Sequence, residues 1–384
     1  MKILIVRMWP DEMNINNYNC QELGLAKAMV KKGNQCDIVL YTKDITKREE
    51  YIKYENNKEI HIYYLKAKKI LKNAFFDNEL YKIAQNYDIV QTTEYDQIAN
   101  MILYKKTNGK LVVYHGPYNS SFTTGYNIKC IFSDLLYMFN NKYKRVKCLA
   151  KSNLAKKLLN NKGFFNVETI GVGLDASRLE IDNIKNNDFI EKLYKDKEQQ
   201  KLKYLLYIGK IEKRRNILFL ISLLSKNIND NIKLIIIGNG EEKYKKKCLK
   251  YANKMGVFDK IIYKENIGQE EVKKIYKIAD IFLLPTEYEI FGMVLLEAMY
   301  LGLPVITTLN GGSSTIIKNN VDGIICNLDI SKWNKAINKL LNDSKFYKSL
   351  SENSSNKIKT KYTWDALSTK FIKNYEEVIN KKLI

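Results

Sequence analysis

The sequence predicts an α/β fold with two domains, each built around a parallel sheet. Short apolar segments alternate with amphipathic helices in both halves of the chain, which is the pattern of β–α–β units. The length of 384 residues also favours two domains. A polar, charged stretch separates the two patterns. We therefore expect domains over residues 1–175 and 204–363, a linker over 176–203, and a terminal helix over 364–384.

The first half of the sequence begins with a pattern that predicts a strand, a helix and a second strand. Its helix is amphipathic and ends at Gly33, since glycine is the common residue just after a helix. The predicted elements are a strand at Lys2 to Val6, a helix at Gln21 to Lys32, and strands at 36–41, 87–91, 111–114 and 148–150. These segments predict a parallel sheet in the first domain.

The stretch from Thr286 to Gly312 carries the strongest functional pattern. A buried strand precedes it, and MVLLEAMYL then predicts a short helix that Gly302 and Pro304 stop. Ligands of open parallel sheets bind beyond the carboxyl ends of strands, and a helix N-terminus favours phosphate. Glu289 and Glu297 would be ~12 Å apart along a helix, so one carboxylate can reach a sugar while the other reaches a ribose.

Glu289-x7-Glu297, with Phe291-Gly292 inside it, closely resembles the signature of retaining glycosyltransferases of family 4. The resemblance covers nearly the whole chain and is strongest from Tyr204 to Gly323. It implies a GT-B architecture, in which two Rossmann-like, doubly wound domains face a central cleft. The donor would bind mainly to the second domain and the acceptor to the first. The alternative is that the two glutamates are a solvated pair beside a core helix.

The resemblance also assigns roles to individual residues. Glu289 and His115 take the catalytic positions. The donor-binding positions are Gly209, Lys210, Arg215, Gly238, Phe291, Gly292, Met293, Val294 and Glu297. In the family, Gly-Arg-Leu is followed after three residues by Lys, so Lys210 takes the Arg position and Arg215 the Lys position. Lys213 and Arg214 are alternatives for these cations if the register differs.

Three residues in the first half could act at a ligand or could be structural. His115 follows a core strand and precedes Gly116, where the family has a His-Gly beside the donor sugar, although a lone histidine is usually structural. Glu94 and Asp96 follow another strand. They could meet an acceptor hydroxyl, but together with Thr93 we interpret them as a cap of a helix from Gln97.

The chain departs from the family pattern in two places. The first loop, Arg7 to Asn19, lacks the Gly-Gly of many relatives, and the asparagines near its end could replace these glycines because asparagine tolerates left-handed backbone. Thr315 stands where the family usually has a glutamate after Gly311-Gly312. Both differences fall at positions where members of the family contact their ligands.

The amino-acid composition limits the classes of partner that the protein could bind. The net charge of +22 suits a phosphate-rich partner or an anionic membrane surface, although solvated helix faces explain most of it. No nucleic-acid motif is present. The apolar segment Cys130 to Asn141, followed by KYKRVK, is typical of either an interfacial helix or a core helix followed by a loop. No apolar run approaches the ~20 residues of a membrane span.

Cysteine and histidine usage predicts a cytoplasmic protein without a metal. The six cysteines are scattered through apolar stretches without a CxxC, which indicates buried, reduced thiols. There are two histidines and no D-x-D sequence, so we expect neither a metal nor another cofactor.

The expected function is retaining transfer of a hexosyl group from a nucleoside diphosphate sugar to a glycan or lipid-linked acceptor. The resemblance places this reaction in bacterial surface polysaccharide synthesis, in the cytoplasm or at the inner face of the membrane. One alternative is a sugar-nucleotide epimerase of the same fold, which would need more histidines than the two present. Another is a non-catalytic subunit that binds a sugar nucleotide.

Overall fold

The chain forms two compact units, which we describe separately. Unit 1 comprises Met1–Asp175 and Tyr362–Ile384, and unit 2 comprises Ala176–Lys361. A computed structural model describes all residues except 16–19, 45, 47, 55–57, 71, 139–142, 181–186, 227–229 and 382–384, and except the side chains of Arg178, Gln269 and Glu270. The end of the asparagine-rich first loop and the end of the predicted apolar helix therefore lie outside the described residues.

Unit 1 contains an eight-stranded sheet and a separate two-stranded hairpin. Its elements are β1 Lys2–Val6, α1 Gln21–Lys31, β2 Gln35–Tyr41, β3 Glu49–Tyr54, β4 Lys58–Leu65, β5 Ala67–Ile70, β6 Asn73–Phe76, α2 Asn78–Ala84, β7 Ile89–Thr93, α3 Ala99–Lys106, β8 Leu111–His115, α4 Thr124–Met138, β9 Lys147–Ala150, α5 Asn153–Asn161 and β10 Val167–Thr169.

The eight-stranded sheet has the order β10-β9-β8-β7-β1-β2-β4-β3 and is parallel except for β3, which runs antiparallel to β4. The strands at its centre are buried, as expected for a parallel sheet covered on both faces. The strand order reverses between β1 and β7. The carboxyl ends of these two strands therefore flank the switch point at which open α/β sheets bind ligands.

Unit 2 contains a six-stranded parallel sheet with the order β13-β12-β11-β14-β15-β16, whose order reverses between β11 and β14. Its elements are α6 Asp188–Gln200, β11 Lys203–Ile208, α7 Ile217–Ser225, β12 Ile232–Ile237, α8 Glu242–Lys254, β13 Ile261–Lys264, α9 Gln269–Ile278, β14 Ile281–Leu284, α10 Met293–Tyr300, β15 Val305–Thr307, α11 Ser313–Ile316, β16 Ile324–Ile325, α12 Ile330–Asn342 and α13 Ser344–Lys361.

The linker prediction is wrong for residues 188–200. They form α6, which buries Ile190 and Leu193 and belongs to unit 2. The Tyr204 hydroxyl donates to the Leu193 carbonyl at 3.1 Å, which ties the helix to the start of β11. The composition of this segment is highly charged, so its two buried apolar residues were too few to signal a packed helix.

The last helix, α14 Trp364–Asn380, packs in unit 1. Its first residue, Trp364, fits against two glycines that leave no room for a side chain. A Cβ on Gly24 of α1 would lie 2.3 Å from the indole Nε1, and a Cβ on Gly173 would lie 2.3 Å from Cδ2. The helix is also fixed by the Tyr375 hydroxyl, which donates to Gln91 Oε1 at 2.6 Å.

All six cysteines are free, but they are less uniformly buried than predicted. Cys20 and Cys326 are half-buried, and the Cys20 sulfur accepts the Leu23 N–H at 3.5 Å at the start of α1. Within the described residues, no helix has both the length and the apolar character required to cross a membrane.

We predict that Gly173→Ala destabilises the protein by roughly 1–3 kcal/mol, because the added methyl group overlaps Trp364. Urea unfolding followed by tryptophan fluorescence measures the change. Gly125→Ala is the control, since nothing lies within 4 Å of its Cβ and alanine favours a helix by about 1 kcal/mol over glycine. Equal unfolding midpoints for the two variants would contradict the packing of α14.

Candidate active site

The candidate site of unit 2 lies where β11 and β14 end, on either side of the switch point. Residues 209–216 follow β11, and residues 285–292 follow β14. The Glu287 N–H donates to the Arg214 carbonyl at 3.0 Å, and Asn216 Nδ2 donates to Glu287 Oε2 at 3.0 Å. The two loops therefore support each other at the edge where a ligand is expected.

Two consecutive glycines hold the loop that precedes α10. A Cβ on Gly311 would lie 2.0 Å from the carbonyl oxygen of Ile290, and a Cβ on Gly312 would lie 1.7 Å from that of Phe291. The Gly311 N–H also donates to the Glu289 carbonyl at 2.9 Å. Only glycine permits this close approach, so these contacts fix the backbone on which Glu289 is placed.

The Gly238-Asn-Gly240 turn has a similar role for the other loop. Gly238 has a φ of +148°, and a Cβ on it would lie 1.9 Å from the Gly209 carbonyl oxygen. A Cβ on Gly240 would lie 2.0 Å from the Ile211 carbonyl oxygen. These glycines pack directly on the backbone of residues 209–211, which carries Lys210.

Glu289 and Arg215 form an ion pair between the two loops. The contact joins the Arg215 Nη1 and Glu289 Oε2 atoms, and both side chains are largely buried, with 12% and 15% of their surface exposed. Burial lowers the pKa of Arg215, but the Glu289 carboxylate outweighs this effect and raises it above its usual value. The structure thus brings together two predicted site residues that are 74 positions apart in the sequence.

The other cations of this loop differ in their surroundings. Arg214, the alternative to Arg215, donates through Nη1 to the Tyr288 carbonyl and lies 2.6 Å from Glu212 through Nη2. It therefore braces the loop before α10. Lys210 and Lys213 are exposed. The Lys210 carbonyl accepts the Tyr207 hydroxyl at 2.7 Å, which fixes the backbone but leaves the ammonium group at the surface.

Helix α10 begins next to this ion pair. Gly292 adopts a left-handed conformation, with φ of +81°, and a Cβ there would lie 3.1 Å from Glu289 Cγ. The first backbone bond of the helix runs from the Leu295 N–H to the Gly292 carbonyl at 2.9 Å. The N–H groups of Met293 and Val294 precede that bond, so they lie at the positive end of the helix dipole.

Glu297 lies inside α10 and is buried, with 2% of its surface exposed. The Tyr276 hydroxyl donates to Glu297 Oε2 at 2.9 Å. The alternative of a solvated glutamate pair is therefore wrong for Glu297, because a carboxylate is buried in proteins only when hydrogen bonds or charges compensate it. Nothing in the sequence pointed to Tyr276, which lies in the preceding helix α9.

Thr315 lies in the short helix α11, where the family resemblance expects a glutamate. Its hydroxyl donates to the Gly311 carbonyl at 3.1 Å, and its N–H donates to the Gly312 carbonyl at 2.8 Å. Thr315 thus supports the glycine pair that holds residues 289–291.

In unit 1, His115 is fully buried at the end of β8 and pairs with Glu94. Its Nδ1 lies 2.6 Å from Glu94 Oε2, which also accepts the Gly116 N–H at 3.0 Å. Lys151 Nζ lies 3.8 Å from the other carboxylate oxygen. Among the described residues, His115 Nε2 has no hydrogen-bond partner. The Glu94 carboxylate thus fixes the imidazole through Nδ1 and leaves Nε2 for a ligand.

The cap interpretation of Thr93, Glu94 and Asp96 is wrong. Helix α3 begins at Ala99, and its N-cap residue Ile98 makes no side-chain cap bond. Thr93 instead accepts the N–H of Met8 through Oγ1 at 3.0 Å. Glu94 has a φ of +58°, a strained conformation that costs roughly 1–3 kcal/mol and that is common at functional sites.

Asp96 is fully buried and lies 2.6 Å from Lys129 Nζ through Oδ2. Burial raises the pKa of Asp96 above its usual value, although Lys129 acts in the opposite direction. Lys129 comes from α4, so a helix with no predicted role at the site supplies the charge that compensates this carboxylate. Lys129 and Asp96 are 33 positions apart, so no local pattern in the sequence identifies them as partners.

Glu94, Asp96 and His115 also form a candidate metal-ligand group. Each offers one ligand atom, and these atoms all lie within 4.8 Å of one another. Two carboxylates and an imidazole are a suitable donor set for a divalent metal. However, Lys151 and Lys129 already face the two carboxylates, and a metal ion would have to replace these cations.

Most of unit 2 is similar to a family of glycosyl transferases. Residues 188–357 match the family described as Glycosyl transferases group 1. The matched residues all lie within unit 2. The match begins at the first residue of α6, which agrees with the inclusion of that helix in unit 2.

Two curated proteins to which the chain is similar come from Methanocaldococcus jannaschii, and both are described as uncharacterized glycosyltransferases. One is 32% identical over 178 residues and covers 45% of each chain. The other is 25% identical over 372 residues and covers 90% of this chain and 91% of the relative. With the first curated relatives, the alignment spans about half of the relative's own length.

Solved structures resemble this chain beyond residues 188–357 as well. HepE of Anabaena in complex with UDP has a TM-score of 0.74 at 14% identity, over 98% of this chain and 100% of that one. Its complex with UDP-glucose gives a TM-score of 0.71 at 15% identity. At such identity the likeness shows the fold alone. It confirms the predicted fold class, a GT-B-like fold of two α/β domains.

We predict an acid-sensitive contribution of Glu94 to stability. Burial raises the pKa of Glu94, but Lys151, His115 and the Gly116 N–H outweigh burial and lower it below its usual value. A carboxylate with a lowered folded pKa stabilises the protein above its unfolded pKa of about 4.3, and this contribution is lost as the pH falls through the folded value. Glu94→Gln should therefore cost roughly 3 kcal/mol at pH 7 and less near pH 3.

Urea midpoints at pH 7 and at acidic pH test this prediction. Two of the three tryptophans, Trp9 and Trp364, lie in unit 1, so fluorescence reports mainly on this unit. Glu59→Gln is the control, because Glu59 is exposed and lies in the same unit. If Glu94→Gln lowered the free energy of unfolding by the same amount at both pH values, the charge of Glu94 would not be the stabilising feature.

Proposed function

We propose that this chain is a retaining glycosyltransferase that moves a hexosyl group from a nucleoside diphosphate sugar to a glycan or lipid-linked acceptor. The observation that carries the proposal is the Glu289–Arg215 pair, placed directly before the N-terminus of α10. A carboxylate suited to sugar hydroxyls thus lies beside a cation and backbone N–H groups suited to a diphosphate. The group 1 domain and the UDP-glucose complex named for HepE support this choice of donor.

In the proposed donor complex, the diphosphate binds to the N–H groups of Phe291 to Val294 at the start of α10. Arg215 lies next to this end of the helix and Lys210 is exposed on the same loop as Arg215, so both cations can add charge. Glu297 would hold the ribose hydroxyls, in the position that the Tyr276 hydroxyl fixes. Glu289 would position hydroxyls of the sugar.

The proposed reaction retains the configuration at the anomeric carbon. The bond from this carbon to the leaving phosphate oxygen breaks, and the acceptor oxygen bonds to the same face. The acceptor proton passes to the leaving phosphate oxygen. Positive charge at the start of α10, at Arg215 and at Lys210 would stabilise the departing diphosphate, which is the role that a metal ion has in other enzymes. In unit 1, His115 is the proposed catalytic histidine, which would act through Nε2 while Glu94 holds Nδ1.

The finer assignments rest on the sequence. The Glu289-x7-Glu297 spacing supports family 4 and retention, and the absence of D-x-D supports a reaction without a metal. The same resemblance supports a role in bacterial surface polysaccharide synthesis. We propose that the protein acts in the cytoplasm, and that a lipid-linked acceptor would bring it to the inner face of the cell membrane.

A donor screen tests the proposal. UDP-, GDP- and ADP-sugars are incubated with the protein in the presence of EDTA, and release of nucleoside diphosphate is followed. We expect slow release from one donor, because water can replace the acceptor. Glu289→Gln should lower this rate about 100-fold, since it removes the charge that pairs with Arg215 and faces the sugar.

Glu352→Gln is the control, because 66% of its side chain is exposed and it lies in α13, outside the two loops of the site, so it should retain the wild-type rate. Loss of activity in EDTA would contradict the metal-free mechanism and would point to Glu94, Asp96 and His115. Conversion of one donor sugar into another would favour the epimerase. Donor binding without any release, in the presence of acceptor glycans, would favour the non-catalytic subunit.

A further inference from the structure

Helix α4 presents its apolar side chains to the outside of unit 1. Six large apolar residues on it are between 46% and 61% exposed, namely Ile128, Ile131, Phe132, Leu135, Leu136 and Met138. We call this set the α4 face. The buried positions of the helix are Cys130, Ser133 and Tyr137. An ordinary surface helix has the opposite arrangement, with the apolar stripe toward the core.

Polar contacts on the buried side fix this orientation. The Ser133 hydroxyl donates to the Asp96 carbonyl at 3.2 Å, and the Tyr137 hydroxyl donates to the Tyr95 carbonyl at 2.5 Å. Lys129 pairs with the Asp96 side chain at 2.6 Å. Rotation of α4 to bury its apolar stripe would break all three contacts. The exposure of the α4 face is therefore a stable property of the folded unit.

Apolar and basic groups continue on both sides of this face. Lys129 Nζ donates to the Lys72 carbonyl at 3.4 Å, so the tip of the β5–β6 hairpin lies beside the helix. At that tip Ile70 is 53% exposed. Toward the other end, Asp134 pairs with Lys162, and the loop after Lys162 contains Phe165, which is 80% exposed.

Most charges around the α4 face are positive, and two carboxylates near it are paired, Asp11 with Lys69 and Asp134 with Lys162. Lys68, Lys69 and Lys72 are exposed on the hairpin, and Arg145 is exposed in the turn after the helix. Lysine and arginine beside a stripe of large apolar side chains are the features of an element that lies in the headgroup region of an anionic bilayer. The net charge of +22 adds a long-range attraction to such a surface.

We propose that the α4 face is the surface by which this protein docks on an anionic lipid bilayer. A second copy of the chain fits this surface less well, because a two-fold interface would place the same lysines and the same net charge of +22 against each other. A peptide groove is not formed by a single convex helix. The bilayer alone satisfies both the apolar stripe and its basic border.

Docking in this way has a consequence for unit 1. The helix that would lie on the lipid also holds Lys129 against Asp96, next to the Glu94–His115 pair. The carboxyl ends of β7 and β8 would then lie close to the membrane surface. The docking itself is independent of the proposed reaction. Only its connection with a lipid-linked acceptor rests on that proposal.

Vesicle flotation tests the docking surface with the full chain. The vesicles are phosphatidylcholine alone or phosphatidylcholine with phosphatidylglycerol. The wild type should float with the anionic vesicles and less with the neutral ones. The double variant Phe132→Ser and Leu135→Ser should bind at least ~10-fold more weakly, because two apolar side chains that would enter the lipid are lost. Both positions are exposed, so the fold is unaffected.

A matched pair on unit 2 controls for general hydrophobicity. Leu249→Ser with Phe258→Ser removes two side chains that are 41% and 46% exposed, and it should float like the wild type. Lys68→Glu with Lys72→Glu should weaken binding to anionic vesicles and leave the weak binding to neutral ones unchanged. Hydrogen exchange of residues 124–138 should slow when anionic vesicles are added.

Three results would overturn the proposal. The first is no flotation of the wild type with anionic vesicles. The second is equal flotation of the wild type and the Phe132/Leu135 variant. The third is a dimer of the wild type in sedimentation velocity that this variant makes monomeric, without vesicle binding, which would assign the face to a second copy. Donor turnover measured on the same samples separates a failure of docking from a failure of the proposed reaction.

Discussion

The close contact between Gly311-Gly312 and the carbonyl groups of Ile290 and Phe291 is the constraint on which the unit 2 site depends. At distances of 2.0 and 1.7 Å from those oxygens, no Cβ can be accommodated. The loop that carries Glu289 is therefore held from one side by backbone alone. Arg214 and Arg215 hold it from the other side through Tyr288 and Glu289. Because the loop ends at Gly292, these contacts also set the direction in which α10 begins.

Both units place compensated charges at the carboxyl ends of strands at or near a switch point. In unit 2, Glu289 pairs with Arg215 across the switch point. In unit 1, Glu94 follows β7, which flanks the switch point, and its partners His115 and Lys151 lie at the ends of the next two strands of the sheet. Charges so deeply buried persist only when partners and hydrogen bonds compensate them. A site assembled before the ligand arrives needs little rearrangement to stabilise charge that develops in a reaction. The paired charges are thus consistent with catalysis and also contribute to the fold.

The sequence predicted the elements whose pattern is local. The helix over MVLLEAMYL is α10, and the helix from Gln21 is α1, since apolar periodicity and stop residues lie within each segment. Strand β3 at the edge of the large sheet and strand β5 of the separate hairpin are mostly exposed, so they carry too little apolar signal and were not predicted. The apolar run of α4 suggested either an interface or a core helix, and only the tertiary contacts of Ser133 and Tyr137 decide its orientation.

The candidate site was predicted where a motif fixed its position. Glu289 and Arg215 were selected separately, and the structure joins them. The partners Tyr276 of Glu297 and Lys129 of Asp96 were not predicted, because a hydrogen bond between distant segments leaves no trace in one sequence. Glu94 was taken for a cap, since a carboxylate after a strand has the same composition in either role. Its left-handed backbone and its contact with His115 became visible only in the folded chain.

A crystal structure of the protein with bound UDP tests the central claim most directly. We expect diphosphate oxygens within about 3 Å of the N–H groups of Met293 and Val294 and of the Arg215 guanidinium. We also expect the ribose hydroxyls to donate hydrogen bonds to Glu297. A diphosphate bound away from the start of α10, with Glu297 still hydrogen-bonded only within the protein, would contradict the assignment of this site to the donor.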